Sequence, residues 1–271
     1  MDKIFFTVKC KTNLHVGSGK ANYGVVDNLV QRDPTFQYPT IHASSLKGAI
    51  KEYCYHNGFE NMKTVFGSEK VDGKTNHKET QIGGYKFFDA NLLAMPVRCD
   101  KKAYIHITCP NILDDLCEHL PTDNSLKNEL KELIEKVGNR TLAFSEELKG
   151  AVVEDYDVIA DQTPEIALSD TVDKLFQGYK IVVVNNEEFD RLTNDLHLPV
   201  IARNYLENGE SKNLWYEQIV PRLSIFWSMC IVPRMKDDLF ELLFEKDSLV
   251  QIGANGSIGY GYCSFNKLNI I

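Results

Sequence analysis

The sequence predicts an α+β fold with a ferredoxin-like βαββαβ core, and three observations support this prediction. Residues 3–10 alternate in the way that is typical of a strand, and residues 45–57 carry apolar side chains at helical spacing. Residues 87–97 and 103–108 are typical of paired strands. A later helix and a final strand complete the order strand, helix, two strands, helix, strand.

The predicted first helix has an apolar face and a separate basic face. Its apolar positions fall at i, i+4, i+7 and i+8: Leu46, Ile50, Tyr53 and Cys54. Ser44 precedes them as an N-cap, because its hydroxyl can accept a free backbone N–H. Ser45 follows, and Lys47 and Lys51 share a different face. A helix N-terminus beside lysines can bind a phosphate-sized anion, although an ordinary capped helix with solvated lysines fits the same pattern.

Five further elements are predicted along the chain. A helix is predicted at 126–137, with Gly138 as its C-cap, and a short buried strand at 180–184. Asn208–Gly209 is a strong turn signal and predicts a β-hairpin within residues 200–216. The last helix is predicted at 236–244, and the last strand at 257–265.

Composition indicates one large globular domain in a reducing compartment. The chain has 271 residues, of which 43% are hydrophobic, and its seven cysteines are scattered without CxxC pairs. It has no run of 18 apolar residues, and the apolar start is too short for a signal peptide. We therefore expect a cytoplasmic protein without a membrane partner.

The charge is unevenly distributed. The net charge is −8, but residues 1–110 hold 15 Lys and Arg against 10 Asp and Glu. Residues 111–271 hold 15 against 28. Such asymmetry indicates a localised binding face for a polyanion in the first part of the chain, whereas the chain as a whole should bind nucleic acid weakly.

Three side chains are candidates for acid–base or metal chemistry. Asp27 lies in the apolar, glycine-bearing GVVDNLV segment, where a carboxylate can hold a divalent ion or position a ribose hydroxyl. Its spacing alone favours a plain Asx turn. His15, in LHVGSG, has a suitable pKa for proton transfer, but most lone loop histidines are surface residues. Glu217, in LWYEQ, is a second carboxylate or else a solvated charge near a strand end.

Two further segments are candidates for nucleic-acid contacts. The glycine-rich loop at 253–261 lets the backbone approach a phosphate closely, although a tight turn with a β-bulge explains it equally well. It lacks the GK[ST] of a Walker A loop. The predicted hairpin carries basic and aromatic side chains that can stack on bases or contact a neighbouring subunit: Arg203, Tyr205 and Lys212.

One group of cysteine and histidine residues has side chains of the types that bind zinc. It comprises His106, Cys109, Cys117 and His119. The spacing HxxC followed by CxH is not a usual zinc pattern, so structural zinc is not expected.

Several motifs together resemble the RAMP superfamily, the RNA-binding subunits of CRISPR effector complexes. The best match is the repeated backbone subunit of the type III-B (Cmr) complex. The matching segments span nearly the whole chain in the same order: LHVGSG at 14–19, GVVDNLVQRD at 24–33, YPTIHASSLKGAIK at 38–51, FFDANLLAMPVRC with ITCP at 87–110, NLWYEQIVPRLSIFW at 213–227 and QIGANGSIGYGYCSF at 251–265. The chain departs from the family at Ala254, where a second glycine is frequent, and at Tyr260, where a basic residue is frequent.

The resemblance implies a single domain, residues 1–271, with a palm core, insertions at about 58–86 and 111–180, and a thumb hairpin at about 197–217. It implies that Asp27 cuts target RNA with Mg²⁺ or Mn²⁺. The residues expected to contact RNA are Ser44, Ser45, Lys47, Lys51, Arg32, Arg203, Tyr205, Lys212, Gly253, Asn255, Gly256 and Ser257. The implied partners are the guide crRNA, the target RNA, other copies of this chain, and further Cmr subunits that include the large polymerase-like subunit and the small subunit.

Three related interpretations remain open from the sequence. The chain is a cutting type III-B backbone subunit, a scaffold subunit that does not cut, or the equivalent type III-A subunit. LWYEQIVP and FFDANLLAMPVR favour type III-B over type III-A. A repeat-processing endonuclease of the same superfamily shares the glycine-rich loop, but the acidic charge and GVVD disfavour it.

Overall fold

The computed structural model describes residues 1–19, 24–68, 81–154, 158–159, 168–233 and 238–270. The helices and strands of this part of the chain are, in order, β1 (Asp2–Cys10), β2 (Thr40–Ile41), α1 (Ala43–His56), α2 (Met62–Phe66), β3 (Lys86–Phe87), β4 (Ala90–Val97), β5 (Ile105–Thr108), α3 (Pro110–His119), α4 (Ser125–Val137), β6 (Leu142–Ala143), β7 (Val152–Val153), β8 (Val158–Ile159), α5 (Asp170–Leu175), β9 (Ile181–Val183), α6 (Asn186–Thr193), β10 (Val200–Glu207), β11 (Glu210–Gln218), β12 (Ile225–Val232), α7 (Asp238–Leu243), β13 (Val250–Gln251) and β14 (Tyr262–Leu268).

Four long strands form the ferredoxin-like core. They lie side by side in the order β14, β1, β12 and β4, and every neighbouring pair is antiparallel. Helix α1 lies between β1 and β4 in the chain, and α7 lies between β12 and β14. This connectivity is βαββαβ, which confirms the predicted α+β class and the ferredoxin-like type of core. The predicted strands at 87–97 and 103–108 do pair, but the second of them, β5, lies outside the four core strands, and β12 is the third core strand instead.

The core sheet continues on both sides. Strand β13 pairs with β14, whereas β5, β9 and β6 extend the sheet beyond β4, and β5 and β9 are parallel. Short strands β2 and β3 pair with β4 and β12, giving ten strands in the described part of this sheet. Strands β10 and β11 form a separate hairpin, here called the thumb, with Asn208–Gly209 at its turn as predicted.

The first helix confirms the predicted apolar face. Leu46, Ile50 and Cys54 of α1 are fully buried, and Tyr53 is partly buried against the same core. The prediction of a helix ending at Gly138 is also confirmed, because the Gly138 N–H donates to the carbonyl of Ile134 at a positive φ of 52°.

Other boundaries differ from the predictions. The last strand begins at Tyr262 instead of 257, because residues 253–261 form a turn held against the loop after β1. Strand β12, the third strand of the core, was not predicted as a strand. The predicted start of the last helix, at 236, and parts of the predicted insertions, at 69–80, 155–157 and 160–167, lie outside the described residues. Within the described ranges, no helix has both the length and the apolar character needed to cross a membrane.

Candidate functional site

The segment that carries Asp27 pairs with the end of the thumb. The N–H of Asp27 donates to the carbonyl of Tyr216 at 3.0 Å, and the N–H of Tyr216 donates to Asp27 Oδ2 at 2.7 Å. The carboxylate is therefore oriented by a strand 189 residues away rather than by a local Asx turn. Asp27 is exposed, and its Oδ1 has no hydrogen-bond partner among the described residues. One carboxylate oxygen is held in place while the other faces outward.

His15 is not the surface histidine that its loop sequence favours. It is only 4% exposed, and its Nδ1 lies 2.6 Å from the carbonyl oxygen of Gln218. Because a carbonyl can only accept, Nδ1 carries the proton in this bond. The His15 carbonyl in turn accepts the N–H of Ala254 at 2.9 Å. His15 thus connects the end of the thumb to the glycine-rich loop, and its ring is buried.

Glu217 is a buried, hydrogen-bonded carboxylate instead of the solvated charge or open base that the sequence suggested. It is 7% exposed. Trp215 Nε1 donates to Oε1 at 2.8 Å, and Asn255 Nδ2 donates to Oε2 at 2.8 Å. The guanidinium of Arg203 lies 3.7 Å from Oε2. These partners occupy both oxygens, so Glu217 connects the thumb to the glycine-rich loop.

Gln218 is a site residue that the sequence analysis missed. Its side chain is fully buried, with Oε1 accepting the N–H of Val30 at 3.2 Å and Nε2 donating to the carbonyl of Asp195 at 3.2 Å. Its own N–H donates to the carbonyl of Asn28 at 2.9 Å. No sequence signal identifies it, because a glutamine at a strand end is usually exposed.

The structure does not support the predicted RNA contact of Arg32. Its guanidinium binds the carboxylate of Asp195 at 2.8 Å and donates to the carbonyls of Gln37 and Thr193. Burial lowers the pKa of Arg32, and the neighbouring Asp195 carboxylate opposes that shift. Arg32 therefore anchors the chain after Asp27 to the segment that leads into the thumb.

Arg32→Gln is expected to lower the free energy of unfolding by about 1–3 kcal/mol, because two carbonyls and a carboxylate lose a charged donor. Urea denaturation of the free protein measures this change. Lys212→Gln is the control, since its exposed ion pair with Glu210 contributes at most about 0.5 kcal/mol. If Arg32→Gln leaves the urea midpoint unchanged and weakens RNA binding, Arg32 contacts RNA as the sequence predicted and is not a structural anchor.

The N-terminus of α1 differs from the predicted anion site. The N-cap is His42, not Ser44, and no side chain caps it in the manner expected of a serine. The N–H of His42 donates to Gln31 Oε1 at 2.8 Å, and the N–H of Ala43 donates to Asp89 Oδ1 at 2.6 Å. The Asp89 carboxylate therefore already occupies part of this helix terminus and opposes a phosphate there.

The side chains of the first turns of α1 have different roles. The Ser45 hydroxyl accepts a hydrogen bond from Gln31 Nε2 at 3.1 Å, so it fixes the loop that carries Asp27, whereas Ser44 is exposed. Lys47 is partly exposed and forms no hydrogen bond or ion pair with any described residue. Lys51 is also partly exposed. Lys47 is thus available to a polyanion.

The glycine-rich loop is built by close backbone contacts. Gly253 has a φ of 82°, and a Cβ there would lie 2.3 Å from the carbonyl oxygen of His15. Asn255 has a left-handed backbone, and its side chain is directed to Glu217 instead of outward. Ser257 is exposed, whereas Gly256 packs against the side chain of Gln251. The predicted RNA contact of the Asn255 side chain is therefore not supported, and Ser257 remains accessible.

The three side chains of the thumb that were predicted to contact RNA differ in their exposure and in their partners. Tyr205 is 57% exposed. The guanidinium of Arg203 lies 5.9 Å from the ring centroid of Trp215 and 5.8 Å from that of Tyr260. Lys212 forms an exposed ion pair with Glu210. Among these three residues, Tyr205 is thus an exposed aromatic side chain, whereas Arg203 contacts other residues of the protein.

The four residues with side chains that could bind zinc do not share a site, and the two histidines bond different carbonyl groups. His106 Nε2 lies 3.0 Å from the Leu223 carbonyl, and burial lowers the pKa of His106 to about 4. His119 Nδ1 bonds the carbonyl of Asp115. Cys109 and Cys117 are buried free thiols. In the described part of the chain, no three His, Cys, Asp or Glu side chains are grouped in a way that could hold a metal ion.

Comparison with known proteins gives consistent matches over the whole chain. A profile of the RAMP superfamily matches residues 7–264. The Pyrococcus furiosus protein named CRISPR system Cmr endoribonuclease Cmr4 is 28% identical, over 93% of this chain and 90% of that protein. The Saccharolobus solfataricus protein named CRISPR system CMR subunit Cmr4 is 26% identical, over 97% and 96%.

Solved structures share this fold. A cryo-EM structure of a type III-B Cmr-beta complex bound to cognate target RNA contains a chain with a TM-score of 0.81 and 23% identity, over 99% of this chain and 98% of that one. Oligomeric Cmr4 from Pyrococcus furiosus gives a TM-score of 0.67 and 21% identity, over 98% and 99%.

Proposed function

Because this chain belongs to the RAMP superfamily, we propose that it is a backbone subunit of a type III-B CRISPR ribonucleoprotein. Copies of it bind guide crRNA as a repeated filament and cut complementary target RNA at regular intervals. The names of the Pyrococcus and Saccharolobus relatives support the Cmr assignment, and the former also supports endoribonuclease activity. The large polymerase-like subunit and the small subunit are the further partners.

The observation that best supports the proposed cutting activity is the position of Asp27 and its hydrogen bonding. An exposed carboxylate lies where the GVVD segment meets the base of the thumb. The Tyr216 N–H donates to its Oδ2, and the Asp27 N–H donates to the Tyr216 carbonyl, so both the side chain and the backbone of Asp27 are held by Tyr216. A cutting group needs such orientation, because catalysis depends on placing the reacting atoms within a small distance of each other.

The proposed chemistry is an attack of a ribose 2′-hydroxyl on its own phosphodiester. The outward Oδ1 of Asp27 accepts the hydroxyl proton or holds the hydroxyl in line with the scissile bond. His15 and Glu217 do not touch the reacting atoms in this scheme, since both are buried and bonded within the protein. The attack forms a P–O2′ bond and breaks the P–O5′ bond. One product therefore ends in a 2′,3′-cyclic phosphate, and the other begins with a 5′-hydroxyl whose oxygen takes its proton from water.

A divalent cation, Mg²⁺ or Mn²⁺, fits this site only in part. Asp27 supplies one open carboxylate oxygen, and no second acidic or imidazole ligand joins it in a three-ligand group among the described residues. Mg²⁺ commonly binds through one or two carboxylates, with water and substrate phosphates completing its shell. Such an ion would stabilise negative charge on the phosphate being cut.

Lys47 supplies a phosphate contact for the guide RNA in this proposal. We expect Lys47→Gln to reduce the slope of log affinity against log salt concentration by about 0.7–1 per subunit, because one fewer counterion is released. Filter binding of the assembled filament to labelled guide RNA over a salt series measures the slope. Lys136→Gln is the control, since Lys136 pairs with Glu132 on α4 in the acidic part of the chain. Equal slopes for wild type and Lys47→Gln would remove Lys47 from the RNA contacts.

The experiment that tests the function uses the assembled complex with its guide RNA. A labelled complementary RNA is added with Mg²⁺, and products are separated at single-nucleotide resolution. Regularly spaced cuts that require complementarity to the guide are expected. If the complex binds this RNA and leaves it intact, the chain is a scaffold subunit and the nuclease proposal fails.

A further inference from the structure

We propose that Glu217 and Asn255 form a positioning pair, which fixes Asp27 relative to RNA held against the glycine-rich loop. The inference rests on the proposed function, and it assigns Glu217 and Asn255 roles different from the catalytic and RNA-contacting ones that their motifs suggested. Neither side chain touches the reacting atoms in this scheme. Both act through the backbone that holds Asp27.

The pair joins three segments at one buried point. Asn255 Nδ2 donates to Glu217 Oε2 at 2.8 Å, so the glycine-rich loop is bonded to the thumb strand β11. Trp215 Nε1, two residues earlier on β11, donates to Glu217 Oε1 at 2.8 Å and fixes the orientation of this carboxylate. Asn28 Nδ2 lies 3.5 Å from Oε1, and Asn28 and Glu217 form a parallel β-bridge. The Asp27 segment, the thumb and the glycine-rich loop therefore meet at Glu217.

Glu217 is placed so that its movement is transmitted to Asp27. It lies between two residues of β11 that hold the Asp27 segment. On one side, Tyr216 exchanges hydrogen bonds with the backbone and the carboxylate of Asp27. On the other side, Gln218 bonds the carbonyl of Asn28 and the N–H of Val30. A shift of β11 at Glu217 therefore displaces Asp27.

The backbone of Asn255 is suited to this contact. Its φ of 65° is left-handed, a region that asparagine and aspartate enter more readily than most other residues. Its carbonyl accepts the N–H groups of Ile258 and Tyr260, so the loop closes on it. The buried Glu217 carboxylate also has the Arg203 guanidinium 3.7 Å away, which compensates its charge. The contact therefore needs a side chain that donates a hydrogen bond at position 255 and one that accepts it at position 217.

A reversed pair tests the proposal. Asn255→Asp preserves size and backbone preference but places two carboxylates face to face. We expect target cleavage by the assembled complex to slow about 10- to 100-fold, because small displacements of a reacting group cost that much. Target RNA binding should stay within about twofold of wild type. Adding Glu217→Gln to Asn255→Asp restores a hydrogen bond in the opposite direction, and the rate should return to within about threefold of wild type.

Hydrogen exchange gives a readout that does not depend on cutting. The amides of Asp27 and Tyr216 should exchange faster in Asn255→Asp and return to wild-type rates in the double variant. Unchanged exchange in Asn255→Asp, or a double variant that remains as slow as the single one, would overturn the positioning pair. If wild type does not cut at all, the proposed function fails, and the exchange rates alone still decide whether the pair holds Asp27.

Discussion

Asp27→Ala is expected to reduce target RNA cleavage by about 10²- to 10⁴-fold, the usual contribution of a positioned acid–base group. The side chain is exposed and makes its one described hydrogen bond to the backbone of Tyr216, so the fold and the binding of guide and target RNA should be kept. Single-turnover cleavage of a labelled complementary RNA by the assembled complex measures the loss. Target affinity is measured on the same preparations.

Two variants control for this result. Asp27→Asn retains an oxygen that can accept the Tyr216 N–H, yet it cannot take a proton, so it should cut as poorly as Asp27→Ala. Asp33→Asn changes a nearby carboxylate whose Oδ1 accepts the N–H groups of Thr35 and Phe36, and it should cut at the wild-type rate. If Asp27→Asn cuts normally, the carboxylate serves only as an acceptor for Tyr216.

Gly261→Ala should lower the free energy of unfolding by about 2–5 kcal/mol, the sum of a left-handed backbone and an overpacked contact. The φ of Gly261 is 78°, and a Cβ there would lie 2.0 Å from the carbonyl oxygen of Ile252. That oxygen belongs to the backbone, which yields less readily than the end of a flexible side chain. Urea denaturation of the free chain, with intrinsic tryptophan fluorescence as the signal, measures the change.

Gly259→Ala separates the two contributions. Gly259 has a similar φ of 86°, but no atom lies within 4 Å of the position that its Cβ would take. Only the cost of the left-handed backbone remains, about 1–2 kcal/mol. Equal destabilisation by the two substitutions would show that the close approach to Ile252 is relieved by a small movement of the loop.

The elements that could be predicted from the sequence are those with a local pattern, such as helical spacing of apolar residues or a turn dipeptide. The helical spacing before Asn57 and the Asn208–Gly209 turn correctly placed α1 and the thumb. Strand β12 was missed because its eight residues are almost all buried on both faces and do not alternate. A continuous apolar run cannot be distinguished from a buried helix by periodicity alone.

The candidate site follows from its motif, whereas its contacts could not be predicted from the sequence. The choice of Asp27 from GVVD stays a prediction, and the exposure of this carboxylate is compatible with it. The same motif reasoning treated Arg32 and Asn255 as RNA contacts, whereas both bind other parts of the protein. Their partners, Asp195 and Glu217, are far along the chain, and no local pattern reports such pairings.

The order of the core strands has a consequence for how the chain folds during synthesis. Strand β1 emerges before the other core strands, yet Phe6 pairs with Ser228 on one side and with Lys267 on the other. Both edges of β1 therefore stay unpaired until β12 and β14 have left the ribosome. Long-range pairing of this kind slows folding and leaves strand edges open to misassembly. A truncation that removes β14 should accumulate as aggregate, however intact its Asp27 segment is.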